Sequence, residues 1–383
     1  MRTPSSRRRG PRGAGTVTAR AYSQCISVAA VPPALTIPVV WSDACLLHEP
    51  GGEVWIGLPD PGNEVPARAA VIRDELVAAG APLVEAASHP DDALLAVHDA
   101  DFVAYLRDAW ELWNEAGYPE RHGQDRVVPY LFPHPGLLAG LEPEVPTALS
   151  ARAGLYAFDT MTPIGRDTWR AARGAVDVAL TAADLVLEGA RVAYACTRPP
   201  GHHVTRSAFG GSCYLNSTAI AAQHLRNRGA GTVAILDVDA HQGNGAQAIF
   251  RDRADVLTGS VHVDPRAGWF PHFLGFEEES ADANRNLPLE PGAGDAEWVA
   301  AVANLVRWAG GTDALVVALG VDAGVTDPTS PLEVTAEGFR EGGRLLGSLG
   351  LPTVVVQEGG YDLDTLGVLV LAALEGIEEG GRS

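Results

Sequence analysis

The sequence predicts an α/β fold, a mostly parallel central sheet with helices on both faces, and three observations predict it. Short runs rich in Val, Ile and Leu fall at residues 192–196, 232–238, 256–263, 314–319 and 353–357, separated by helix-length spacers, the alternation of parallel βαβ units. The runs are nearly continuous in apolar residues rather than alternating, as suits strands covered on both faces. Polar residues gather at or just beyond their carboxyl ends, where open α/β sheets bind ligands. With all candidate residues at such ends, a single domain with one site is expected over residues 35–383.

The elements follow in order. Residues 1–34 begin as an Arg-, Gly- and Ser-rich stretch and read as a disordered basic arm. An apolar run at 26–41 faintly imitates a signal peptide, but Pro32, Pro33 and Pro38 interrupt it, so residues 35–41 read as the first strand and the protein as cytoplasmic. Residues 66–79 read as a helix ended by Gly80. Residues 99–115 read as another, with Phe102, Leu106, Ala109 and Trp113 on one face. Between 117 and 166 lie Pro119, Pro129, Pro133, Pro135, Pro143, Pro146 and Pro163. Loops of such length in compact domains are usually functional, so this segment is expected to form a rim or the contact of a homodimer. A helix returns at 168–187. No uninterrupted apolar run is long enough to cross a bilayer.

The 383 residues, 46% hydrophobic, are ample for a core. The net charge of -20 hides an asymmetry. Residues 1–42 hold six arginines and no acid, leaving 22 basic against 48 acidic residues on the rest, or -26. So acidic a surface repels phosphate backbones, which argues against nucleic-acid binding and suits a cationic partner. Cys25, Cys45, Cys196 and Cys213 form no CxxC pair, which points to reduced thiols rather than structural disulfides.

The apolar run at 232–238 leads into Asp237-Val-Asp239-Ala-His241-Gln-Gly243-Asn244-Gly245. Asp237, Asp239 and His241 are two apart, so an extended backbone would point all three to one side. Carboxylate and imidazole together suit a divalent metal, zinc above all. Taken alone, the pattern fits a solvated strand end equally well. Asp322, just past the run at 314–319, supplies a third group at the same edge. Asp239, His241 and Asp322 would then be three protein ligands with one position open for water, the arrangement of catalytic zinc.

Three further stretches join it: Arg198-Pro-Pro-Gly-His202-His203, Gly320-Val-Asp322-Ala-Gly-Val-Thr-Asp327-Pro328, and Gln357-Glu358-Gly359-Gly360-Tyr361. In the last, two glycines let the backbone turn and could aim a tyrosine hydroxyl into the site. The four stretches, in chain order, resemble the zinc-dependent deacetylases of the histone deacetylase superfamily, above all its bacterial acetylpolyamine amidohydrolase branch. The resemblance runs over residues 41–376. Stretches at 97–102 (VHDADF), 154–160 (GLYAFDT) and 270–275 (FPHFLG) add to it.

The resemblance implies the arginase/deacetylase fold and one zinc ion per subunit held by Asp239, His241 and Asp322. It implies a tandem pair, His202 and His203, hydrogen-bonded by Asp237 and Asn244, and a transition-state tyrosine, Tyr361. It also implies a potassium ion beneath the zinc strand, on Asp237 and Ser260 with the backbone carbonyls of Asp239, His241 and Val261. A carboxylate partner favours the imidazolium of His202, whereas the amide of Asn244 does not favour that of His203, so His203 is expected to be the base. The two-metal arginases share this architecture but repeat aspartates two residues apart. Here Gly243 and Gly324 stand at those positions, so a mononuclear site is expected.

The chain also departs from the family. Ala240 and Gln242 flank His241 in unusual form, though neither is a ligand position. In Gly210-Gly211-Ser212, Ser212 stands where the family places an aromatic wall of the substrate tunnel. Phe270 would form the facing wall and Gly211 would also line the tunnel, and with Ser212 a wider or more polar channel is expected. The positions of the acidic residues that grip a distal ammonium fall on Met161 and Ser150, with Asp159 nearby. His89, His98, His122 and His134 are expected to pack, cap or lie on the surface. The run 277–279 should be a solvated acidic face, and Cys213 a buried small hydrophobe.

The expected function is therefore a zinc amidohydrolase removing an acyl group, foremost acetyl, from a small cationic amine such as an acetylpolyamine. Two alternatives stand beside it: deacylation of acetyl-lysine in proteins, and a non-catalytic protein that binds an acetylated amine. The last is disfavoured by the simultaneous presence of ligands, tandem histidines and tyrosine.

Overall fold

A computed structural model describes residues 34–382. The basic arm expected at 1–34 lies outside the described residues, apart from Ala34. Residues Ala34–Ser383 form one compact unit. Its ten strands are β1 (Val39–Trp41), β2 (Glu53–Trp55), β3 (Leu58–Asp60), β4 (Leu83–Glu85), β5 (Val192–Ala195), β6 (Val233–Asp237), β7 (Val256–Val263), β8 (Asn284–Leu289), β9 (Ala314–Leu319) and β10 (Thr353–Gln357). Eight form one sheet in the order β4-β1-β5-β10-β9-β6-β7-β8, and every pairing in it is parallel. β2 and β3 make a separate antiparallel hairpin.

The continuous apolar character of the central strands follows from their burial on both faces. In β6, Val233 and Ile235 enter one core while Ala234 and Leu236 enter the other, as the period of two requires. Helices Thr168–Leu187 and Ser217–Asn227 cover the first face with Ala175, Val176, Ala179, Ile220 and Leu225. Helices Ala67–Ala78, Asp295–Ala309, Ala336–Gly347 and Leu366–Arg382 cover the second with Ile72, Trp298, Phe339 and Val370. No helix among the described residues is long and apolar enough to cross a membrane.

Two expectations need correction. The first strand is shorter than residues 35–41, because Pro38 has no N–H to give the ladder; regular pairing starts at Val39, opposite Leu83 and Tyr194. The proline-rich segment 117–166 is not plain loop. It holds helices Tyr118–His122, Pro135–Leu138 and Leu149–Tyr156, and leaves Tyr130, Leu137, Leu141 and Val145 more than half exposed. The predicted helix 168–187 and the strands β7, β9 and β10 have the bounds read from the sequence.

Candidate active site

Four neighbouring strands, in the order β5, β10, β9 and β6, deliver their carboxyl ends to one edge of the sheet. β5 leads into His202 and His203, β6 into Asp239 and His241, β9 into Asp322, and β10 into Tyr361.

His241 Nδ1 lies 2.9 Å from Asp322 Oδ2 and 3.3 Å from Asp239 Oδ1. One donor atom from each of these residues falls within 4.8 Å of the others, as a single ion requires. Their convergence does not come from an extended strand. β6 ends at Asp237, and residues 239–241 bend. Carboxylates hold each bend: Asp237 accepts from Asp239 N–H (3.1 Å), Asp239 from His241 N–H (2.8 Å), and Asp322 from Ala240 N–H (2.8 Å). The spacing of two thus reports successive side-chain-to-backbone turns rather than the pleat.

The electrostatics of the cluster call for a cation. Burial and the nearby Asp239 carboxylate push Asp322 up to about 7. Burial opposes charge on Asp239 too, but His202 and His241 outweigh it and hold its carboxyl well below the usual range. Burial also opposes charge on His241, and hydrogen bonds to Asp239 and Asp322 reverse that. Two buried carboxylates facing one imidazole, with Gly320 and Gly359 leaving room for the Asp239 and Asp322 oxygens, form a donor set that fits a divalent ion of the zinc kind.

The rings of the tandem histidines lie side by side, centroids 3.9 Å apart and tilted by 37°, yet they are polarised in opposite senses. His202 Nδ1 is 2.9 Å from Asp237 Oδ2. Burial disfavours its imidazolium, but Asp239 and Asp237 overcome that and raise it to about 10. His203 Nδ1 is 2.7 Å from Asn244 Oδ1. Asn244 Nδ2 donates to the His203 carbonyl (3.2 Å), which fixes the amide with its oxygen toward the ring, so Nδ1 carries the proton and Nε2 a lone pair. Burial, then the positive neighbours His202 and His241, hold His203 well below 6.5.

Tyr361 follows Gly360, whose φ of +125° suits glycine. Its N–H donates to Asp327 (2.6 Å), and its ring lies under the Arg68 guanidinium, 4.4 Å from the centroid. Burial pushes the phenol well above 10, with Asp239 and Asp322 among the charges that act on it. The tyrosine is thus a protonated donor in the field of both aspartates.

Several contributors were not singled out in the sequence. Glu358, beside the glycines, accepts from Gly201 N–H (2.6 Å), His202 N–H (3.1 Å) and Thr218 Oγ1 (2.6 Å), fixing the backbone that carries the tandem pair. Glu64 and Arg68 sit at i,i+4 spacing that could have flagged a pair. Glu64 binds both Arg68 (3.1 Å) and Arg198 (2.7 Å), and Arg68 donates to the carbonyls of Gly360 and Glu358. Phe158, quoted only within the stretch 154–160, lies 6.3 Å from Phe270, centroid to centroid and 28° from parallel.

The remaining expectations fall as follows. Ser260 pairs with Asp237 across β6 and β7, and Val261 follows it. Both Asp237 carboxylate oxygens are engaged, by Asp239 N–H and His202. Phe270 meets His203 edge-on (4.7 Å), and Gly211 lies against the His203 ring where a Cβ would not fit. Ser212 takes φ +61° and donates its N–H to Thr162. Asp159 accepts from Gly211 N–H (2.6 Å), so this carboxylate braces the turn. His98 bridges Thr205 and Asn216, His89 lies between Asp177 and Asp184, His134 caps a short helix, and His122 is exposed against Tyr118. Glu277 and Glu278 are exposed as expected, but Glu279 is half-buried and caps the Gly275 and Phe276 N–H groups. Cys213 is buried with its thiol pushed well above 9, and Cys45 and Cys196 are also free and buried.

Comparison with known proteins decides the family. Residues 63–377 match the histone deacetylase domain. The chain belongs to the histone deacetylase family. Acetylpolyamine amidohydrolase 1 of Pseudomonas aeruginosa is 39% identical over 353 residues, covering 90% of this chain and 99% of that protein. The acetylpolyamine amidohydrolase of Mycoplana ramosa is 37% identical over 347 residues, covering 88% and 99%. The crystal structure of acetylpolyamine aminohydrolase from Burkholderia pseudomallei superposes with a TM-score of 0.84 at 36% identity, covering 90% of this chain and 99% of that one. The arginase/deacetylase architecture read from the motifs is therefore the architecture of this histone deacetylase family member.

Proposed function

We propose that this protein is a zinc-dependent deacetylase that hydrolyses the N-acetyl amide of a small cationic amine, an acetylpolyamine being the leading class. The observation that carries the reading is the meeting of Asp239, His241 and Asp322 beside a neutral His203 whose Nε2 lone pair is free of its Asn244 partner. The acidic surface suits a cationic substrate, and the names of the relatives favour a small amine over a peptide.

Zinc held by Asp239, His241 and Asp322 would polarise the amide carbonyl and bring the pKa of water toward ~7. The remaining steps belong to side chains of this chain. His203 Nε2 accepts the proton of the attacking water, since its neutral form dominates at pH 7. Cationic His202, held by Asp237, stabilises the negative charge that develops nearby, and one of the two histidines returns a proton to the leaving amine. The Tyr361 hydroxyl donates to the oxyanion. A potassium ion on Asp237, Ser260 and the carbonyls of Asp239, His241 and Val261 would brace the end of β6.

The exposed apolar residues of segment 117–166 suit a homodimer contact. The deciding experiment assays metal-loaded protein on acetylpolyamines, other N-acetyl amines and acetyl-lysine peptides, with Tyr361→Phe as control. Turnover of acetylpolyamines above the peptides is expected. Preference for peptides would favour the protein deacylase reading, and no turnover by metal-replete protein would favour a binding protein.

A further inference from the structure

The central strands are apolar on both faces, but β7 and β8 are not. Thr258 and Ser260 of β7 pair in register with Asn284 and Asn286 of β8, and a spacing of two sets all four on one face. Helix Asn244–Phe250 lays Gln247 against that face, and Gln242, in the turn before the helix, completes the set. Gln242 and Asn286 are buried as fully as apolar core residues, each 1% exposed. Amides held so deep cost stability unless their hydrogen bonds are supplied.

The partners fix which way each amide points. Glu279 Oε1 accepts from the Gly275 and Phe276 N–H groups (3.1 and 3.3 Å), and its Oε2 accepts from Gln247 Nε2 (2.9 Å). Gln247 must then turn its oxygen inward, where it accepts from Gln242 Nε2 (2.8 Å), Asn284 Nδ2 (3.1 Å) and Asn286 Nδ2 (3.0 Å). Gln242 Nε2 also reaches Asn286 Oδ1 (3.3 Å). With its nitrogen committed, Gln242 is left with a buried Oε1 to which no group among the described residues donates. Gln242 also lines a small cavity, with Gly243, Ala246 and Thr258 in its wall and room for about one water.

We infer that Gln242 is a positioning residue for His241 and Asn244: its amide, clamped by Gln247 and Asn286 and completed by one buried water donating to Oε1, sets the turn between them. The inference rests on the metal-dependent deacetylase reading above. His241, the ligand, directly precedes Gln242, and Asn244, which orients His203, follows two residues later. The turn is tight, with Asn244 N–H donating to the Gln242 carbonyl (2.7 Å) and Gln247 N–H to the Gly243 carbonyl (3.2 Å). Holding the Gln242 side chain therefore holds the ligand and the amide behind the base together. The clamp also reaches outward. Asn286 Nδ2 donates to the Phe276 carbonyl (3.3 Å), so the loop that follows Phe270 is tied to the turn behind the metal. A hydrocarbon in place of the Gln242 amide would fill the space yet leave Asn286 Oδ1 without its donor.

The test compares zinc-loaded wild type with Gln242→Met, Gln242→Glu, Gln247→Met and the Gln242→Met/Gln247→Met double variant. The first keeps the volume, and the second keeps the shape but sets an oxygen against Gln247 Oε1. Val302→Ala, a core deletion in helix Asp295–Ala309, controls for lost stability. Three quantities are read: the rate of zinc release to a chelator, the visible spectrum of cobalt(II)-substituted protein, and kcat and KM on an N-acetyl amine. Gln242→Met and Gln242→Glu are expected to speed zinc release by about 10-fold and to alter the cobalt spectrum. They should lower kcat by about 10-fold and move KM by less than about 2-fold, because the turn carries a ligand and an orienting amide rather than a substrate contact. The double variant should exceed the poorer single variant by less than about 2-fold. Val302→Ala should lower the melting temperature and leave release rate and spectrum as in wild type. A crystal structure of wild type should show a water within hydrogen-bond distance of Gln242 Oε1, and a protein donor or a dry cavity there would overturn the water's part. Zinc release, spectrum and kcat unchanged in Gln242→Met, with wild type active, would overturn the positioning role alone, as would full additivity in the double variant or equal changes in Val302→Ala. A wild type that holds no zinc, or turns over no N-acyl amine, would overturn the deacetylase reading and the clamp with it.

Discussion

The inner site and its rim are built on different terms. Around His241, each acid is buried and each carboxylate oxygen has an assigned hydrogen-bond donor, down to the Gly359 N–H that meets Asp239 at 2.8 Å. At the rim, Phe158, Phe273 and Leu274 are exposed, and the segment 117–166 turns apolar side chains outward. The inner part sits on parallel strands buried on both faces, where a carboxylate can be held only if its partners are supplied in full. The rim sits on loops and short helices, where a side chain can change its host segment at little cost in stability. The catalytic chemistry is thereby tied to buried, fully partnered groups, while the rim carries exposed apolar ones.

The largest expected effects break the inner side. Asp322→Ala should remove bound metal and lower kcat/KM by at least ~10³-fold, since one ligand of three is gone and Asp239 and His241 are left facing each other. His203→Ala should cost ~10²- to 10⁴-fold in kcat. Asn244→Ala, which loosens the tautomer without removing the base, should cost only ~10- to 100-fold by analogy with other orienting partners. Equal and small losses for both would remove His203 as base. Tyr361→Phe should lower kcat by ~10²- to 10³-fold with little change in metal content, the signature of a lost oxyanion donor.

The pH profile sharpens the same side. His203 sits well below 6.5, so its neutral, proton-accepting form persists as pH falls through 7 and is lost only under more acid conditions. The acid limb of kcat/KM should therefore lie below pH 6.5, and a limb at or above 7 would indicate a different base. The smallest effect belongs to the rim. Leu141→Glu, on a side chain 74% exposed, should shift a dimer toward monomer in sedimentation while changing kcat on small amides by less than about 2-fold.

The inner side was legible in the sequence because its residues sit at the ends of apolar runs whose bounds the chain declares. β7, β9 and β10 and the groups Asp239, His241, Asp322, His202 and His203 follow from those runs and their motifs. The route by which Asp239 and His241 converge was not legible, because a spacing of two is shared by a pleated strand and by carboxylate-held bends. Glu64, Arg68 and Glu358 escaped for another reason: their partners lie far away in the chain, as in the contact from Arg68 to Gly360. The stretch 154–160 drew notice but the packing of its Phe158 did not, because nothing local marks a ring whose seat is the missing side chain of Gly210. Segment 117–166 was legible as unusual, but its short helices were masked by the prolines that start or flank them.

The central claim is that one cation is held by Asp239, His241 and Asp322, and its most direct test is metal content measured on purified protein reconstituted with zinc, beside Asp322→Ala. One zinc per chain in the wild type, lost in the variant together with amide hydrolysis, is the expected result. Two ions per chain, or unchanged zinc in Asp322→Ala, would contradict it.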